Sequence, residues 1–193
     1  MSAPLNELVK NYKEKFMEKF EEQLEKFKEI EDYDELIYHS VFKIGSNDRV
    51  LAQDNILRFN MANNMYQCLK DDLIKEKISN SLCFTDILDT VYNLRRNNII
   101  KYFGPLNLYD CSLRIGAHYN IYPSRVYVHC GSITGAKNLF KDKYNNIVKY
   151  YNGDKSFPYI HINSLPEELQ NLEPHYIEDF LCKFATSFEN IDI

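Results

Sequence analysis

The residues whose chemistry is most versatile gather in one stretch, "FGPLNLYDCSLRIGAHYNIYPSRVYVHCGSITGAKNLF", residues 103–140. It contains four of the six glycines, two of the five histidines and two of the five cysteines. Asp110 and Arg114 stand four apart in a helical pattern, the spacing and order of an i,i+4 ion pair. On a surface such a pair is worth under about 0.5 kcal/mol. Buried, the carboxylate would fix the guanidinium and leave its other donors aimed at an anion. His129 has two readings, an acid–base group or a core imidazole bonded to backbone. Gly131 and Gly135 are spaced to let backbone approach another helix or an anion closely. They are expected to frame a loop, with Thr134 capping a helix that begins at Gly135 or Ala136. Lys137 would then fall in the first turn, where a cation opposes the helix dipole and reinforces an anion site.

Covalent and metal chemistry find less support. His129 and Cys130 are adjacent, so in a strand they point to opposite faces. Cys111 and His118 are seven apart, about 10 Å along a helix axis, too far for direct proton transfer. The five cysteines never pair as CxxC, and HExxH, the Walker loop, the dinucleotide fingerprint and GxSxG are all missing. No metal and no cofactor is expected, and an enzyme is the less favoured reading.

Charge sharpens the picture. The chain carries net charge -5, yet residues 91–150 hold nine bases and two acids, while residues 151–193 hold eight acids and two bases. The basic segment is either neutralised by that acidic tail or left open to an anion. In the second case Arg95, Arg96, Lys101, Arg114, Arg125 and Lys137, with Lys141 and Lys143, are the phosphate contacts, and tyrosines stand ready to stack on bases. Arg95 and Arg96 also suit the last turn of a helix, where cations complement the dipole without any ligand.

Two resemblances attach to these residues. "IIKYFGPLNLYDCSLRI" resembles a helix-hairpin-helix: an apolar helix, a turn led by Gly104, and a second helix. That likeness implies a nucleic-acid phosphate held by hairpin amides at the second helix's N-terminus. Leu106 stands where the family has its second glycine, and Pro105 removes one amide donor. The segments "YDCSLRIGA", "VYVHCG" and "GAK", with "EDFLC" further on, resemble an uncharacterised bacterial protein family. That likeness implies a shared fold unit in which Asp110, Arg114, His129, Gly131 and Gly135 belong together.

The elements that must position these groups are mostly helices. Leu5, Val9, Tyr12, Phe16, Phe20, Leu24, Phe27 and Ile30 recur at steps of three and four, the stripe of a long amphipathic helix. It serves either as an arm packed on the body or as a homodimer contact through residues 5–30. Thr85 offers an N-cap to the helix ending in Arg95 and Arg96, and Ser164 caps "SLPEELQNL". Tyr176, Ile177, Phe180, Leu181 and Phe184 form the inward face of the last helix. "RVYVH" and "PYIHI" suggest short strands. The expectation is a mainly α, single-domain helical fold with a helix-hairpin-helix-like centre and at most a minor short strand pair, divided as an arm over 1–35 and a helical domain over 36–193. Its 45% hydrophobic content fills a core, and no apolar run reaches the 18–20 or so residues of a membrane span. The start lacks a secretory signal's apolar centre, so a cytoplasmic setting and no membrane partner are expected. The function expected is nucleic-acid binding through residues 91–150. The alternatives are a protein-interaction component of a bacterial or phage operon and a small-anion-binding enzyme, or sensor of a phosphorylated small molecule, using Arg114 and His129.

Overall fold

The apolar stripe at the start of the chain forms α1 (Leu5–Tyr12), one π-helical turn (Lys13–Met17) and α2 (Glu18–Lys28) without a break. The π turn adds a residue to the ladder and so re-aims the stripe. Leu5, Leu8, Val9 and Tyr12 are buried before it and Leu24 and Phe27 after it, whereas no residue inside the turn is buried. The computed structural model describes residues 5–42, 56–96 and 103–191. The chain divides into two units, Phe20–Tyr122 and the pair of segments Met1–Lys19 and Pro123–Ile193. No helix among the described residues is long and apolar enough to cross a membrane.

The unit Phe20–Tyr122 contains α3 (Tyr33–Phe42), α4 (Ile56–Leu69), α5 (Asp72–Ser79), α6 (Phe84–Arg96) and α7 (Pro105–His118). A helix that is apolar nearly all round has to be enclosed. Accordingly α7 buries residues from Leu108 through Ala117 on every side, Asp110 alone being half-buried, and packs against α3 and α6. It starts with Gly104 as N-cap and Pro105 in the first turn, where a missing N–H is harmless. Its end folds back on itself. The Ile121 N–H donates to the Gly116 carbonyl at 2.7 Å, and a Cβ on residue 116 would collide with the Ile121 carbonyl oxygen.

Two other helix starts in this unit are set by aspartates. Asp71 caps α5 by accepting from the Leu73 and Ile74 amides at 3.0 and 3.4 Å. Asp86 reaches back to the Leu82 and Cys83 amides at 2.9 and 3.1 Å, and those two bonds hold its carboxyl below the usual carboxylate range. Thr85 is therefore not the cap expected of it; it lies inside α6. A charged acceptor spanning two amides outcompetes a hydroxyl.

The other unit adds β1 (Val126–Tyr127), α8 (Cys130–Phe140), α9 (Tyr144–Ile147), β2 (Val148–Tyr150), β3 (Pro158–Ile160), α10 (Glu167–Gln170) and α11 (Pro174–Lys183) to α1. Its core joins Leu5, Val9 and Tyr12 of α1 to Ala136, Leu139 and Phe140 of α8, to Ile177, Phe180 and Leu181 of α11, and to the inner face of the sheet. The Tyr12 hydroxyl donates to Asp179 at 3.1 Å, and its own pKa is driven up by burial and by that carboxylate. The three strands are antiparallel in the order β1-β3-β2, one strand more than the sequence pattern picks out.

Two local expectations change here. Residues 131–135 are helix, not loop, because α8 already begins at Cys130. The Ser132 hydroxyl accepts from the His129 N–H at 2.9 Å and donates to the His129 carbonyl at 2.8 Å, which closes the first turn five residues early. The glycines face α11: a Cβ on residue 131 would lie 2.6 Å from the Cys182 Sγ, and one on residue 135 would overlap the Leu181 backbone. Ser164 ends a 3-10 turn (Ile162–Ser164), and α10 begins only after Pro166. Proline keeps the residue before it extended, and Leu165 has ψ 158°.

Candidate nucleic-acid interface

Strand register decides which side chains share a face. Val126, Ile160 and Val148 are cross-strand partners and point into the core. The alternate row is Tyr127, Tyr159 and Lys149. Arg125 and His161 lie just beyond the ends of β1 and β3, and both contact Tyr159 of that row. Tyr127 is buried under Tyr151 and Phe157, with ring centroids 5.9 and 5.6 Å away. Tyr159 is half-buried, and Lys149 and His161 are exposed.

The Arg125 guanidinium lies over the Tyr159 ring at 4.9 Å from its centroid, and His161 meets the same ring edge-on at 5.3 Å. A guanidinium over a phenol ring is a cation–π pair beside which a nucleobase can stack, while its N–H groups suit phosphate oxygens. Lys149, opposite Tyr159 across the strand pair, adds a second cation. Arg125 was a sequence candidate. Tyr159, Lys149 and His161 were not, although the two-residue steps Arg125–Tyr127 and Tyr159–His161 in the expected strands carried the signal.

The remaining candidates are placed as follows. Arg114 is buried in the Phe20–Tyr122 unit, 8% exposed. Its Nη2 lies 3.5 Å from an Asp110 oxygen and its Nη1 donates to the Ser40 carbonyl of α3 at 3.0 Å. The ion pair expected from spacing is present, but the second arm of the fork is turned onto backbone, so the guanidinium braces two helices. Arg95 and Arg96 occupy the last turn of α6, half-buried and exposed respectively. Gly104 caps α7. Lys101, and with it the first helix of the helix-hairpin-helix likeness after Arg96, lies outside the described residues.

His129 belongs to the other unit, where it precedes α8. It is 5% exposed, and its Nε2 lies 3.5 Å from an oxygen of Glu178, itself buried on α11. Gly131 and Gly135 pack on α11. Lys137 is exposed, 5.8 Å above the Tyr144 ring, and falls in the last turn of α8, where a cation complements the helix dipole. The anion site expected from a first-turn lysine therefore loses its premise. Two acids of the closing segment turn inward, Glu178 toward His129 and Asp179 toward Tyr12 and Lys183, while Asp154 accepts locally from Ser156. Arg114 and His129 thus have their ionic partners, Asp110 and Glu178, each within its own unit. Compared with protein-family models, with curated proteins and with solved structures, the chain has no match.

Proposed function

We propose that the protein binds single-stranded nucleic acid on the outer face of the β1-β3-β2 sheet. The observation that carries this reading is the Arg125–Tyr159 stack at 4.9 Å, with Lys149 beside it on the same row. A base stacks on the guanidinium–phenol pair, Lys149 and the edge of Arg125 meet the backbone, and His161 lines the rim. An unpaired strand is the substrate that fits, because its bases are free to present their faces to the stack. Net charge -5 disfavours long-range capture of duplex DNA, and a short footprint of this kind does not require it.

Fluorescence anisotropy with a labelled single-stranded oligonucleotide tests the proposal. Tyr159→Ala is expected to weaken binding by about 5- to 150-fold, the worth of one stacked base. A footprint of two phosphates loses about sevenfold in affinity between about 50 and about 200 mM salt. Lys149→Ala halves that salt dependence, whereas Lys137→Ala leaves it alone. Affinity indifferent to salt, or unchanged in Tyr159→Ala and Arg125→Ala, overturns the reading.

A further inference from the structure

Two cysteines that no step of the binding reading uses come together where α8 meets α11. Cys130 is the first residue of α8 and Cys182 is the penultimate residue of α11. The two helices approach through glycines, and the Cys182 sulfur rests against the backbone of Gly131, 2.6 Å from where a Cβ would sit. Successive Cα atoms are about 3.8 Å apart, so Cys130 is one residue from the point that sulfur touches. Cys130 is also held at φ 44°, in the left-handed region that side chains rarely adopt, which takes its Cβ off the regular helical projection. Both residues are exposed, with the Cys182 sulfur turned toward Gly131. The contrast is Cys111, wholly buried in α7 with its thiol pushed up to about 12 by desolvation, an inert position.

We propose that Cys130 and Cys182 form a reversible disulfide in exchange with a low-molecular-weight disulfide such as oxidised glutathione, stapling the start of α8 to the end of α11. The Cys130 thiolate attacks one sulfur of glutathione disulfide, forming a mixed disulfide and releasing one glutathione thiolate. The Cys182 thiolate then attacks the Cys130 sulfur and expels the second glutathione. Two protein thiols each lose a proton, one S–S bond forms in the protein, and the one in the oxidant is reduced to two thiols. Cys182 makes the closing attack. Its pKa is raised first by burial and then by Glu178 and Asp179, with Lys183 opposing and Cys130 adding a smaller push. The closing step therefore accelerates as pH rises.

The test treats the full chain with oxidised glutathione, quenches with an alkylating agent, and maps thiols by peptide mass spectrometry. The expected product is one intramolecular crosslink joining the peptides that contain Cys130 and Cys182, released by dithiothreitol. Cys182→Ser should trap glutathione on Cys130, while Cys83→Ser leaves the crosslink intact. Recovery of Cys130 and Cys182 as separate alkylated or glutathionylated peptides in the wild-type chain overturns the proposal, as does a crosslink that appears only between two molecules. Neither outcome bears on oligonucleotide binding, so this inference and the binding proposal stand or fall separately.

Discussion

His175 is 3% exposed, its ring tilted 42° against Tyr176 with centroids 4.2 Å apart. Burial pushes its pKa down to about 4, so the folded protein keeps the ring neutral where the unfolded chain already binds a proton. Between about pH 6.5 and about pH 4 the unfolded state carries the extra proton, and stability rises with pH. This contribution is complete above about 6.5 and is lost as pH falls, by up to about 1.4 kcal/mol per unit. Urea midpoints measured across that range should decline on acidification, and His175→Asn should flatten the decline. Residue types and spacings of this sort are legible in a sequence, but surroundings are not. The Asp110–Arg114 spacing announced a pair that exists at 3.5 Å. What it did not announce is the Ser40 carbonyl, 74 positions away, that takes the other guanidinium nitrogen. Arg125 shows the converse: its stacking partner Tyr159 becomes visible only once strand register is known.

At the scale of elements, the contact between α8 and α11 depends on the absence of side chains. Gly135→Ala would drive a methyl group into the Leu181 backbone, which has no flexible end to yield. The expected cost is about 1–3 kcal/mol or more. Gly104→Ala meets nothing within 4 Å and only weakens a cap, costing about 1 kcal/mol or less. Thermal denaturation of the two variants should therefore separate clearly. The inward stripe Tyr176–Phe184 and the stripe from Leu5 to Phe27 follow from periodicity alone, since a one-sided helix has few ways to bury its apolar face. Helix starts were harder to read, because several polar residues compete at each. Asp86 took the role that Thr85 could fill, and Pro166 displaced Ser164. The close approach that the Gly131–Gly135 spacing suggests is present, but within a helix and against α11, some forty residues downstream and invisible to local spacing.

The two units differ in how they are threaded. Phe20–Tyr122 is one continuous run, whereas its counterpart is assembled from Met1–Lys19 and Pro123–Ile193. A fragment spanning residues 20–122 is expected to fold alone, with a helical circular-dichroism spectrum and a cooperative melt. Residues 123–193 alone lack Leu5, Val9 and Tyr12 from their core and should melt without cooperativity, regaining it when a peptide covering residues 1–19 is added. The interrupted threading also has a bearing on birth at the ribosome. The Tyr12–Asp179 bond spans 167 positions, and at about 5–20 residues per second the first helix waits on the order of ten seconds for its partner to be synthesised. Throughout that interval the greasy side of a nascent amphipathic segment stands uncovered, a natural landing place for a chaperone.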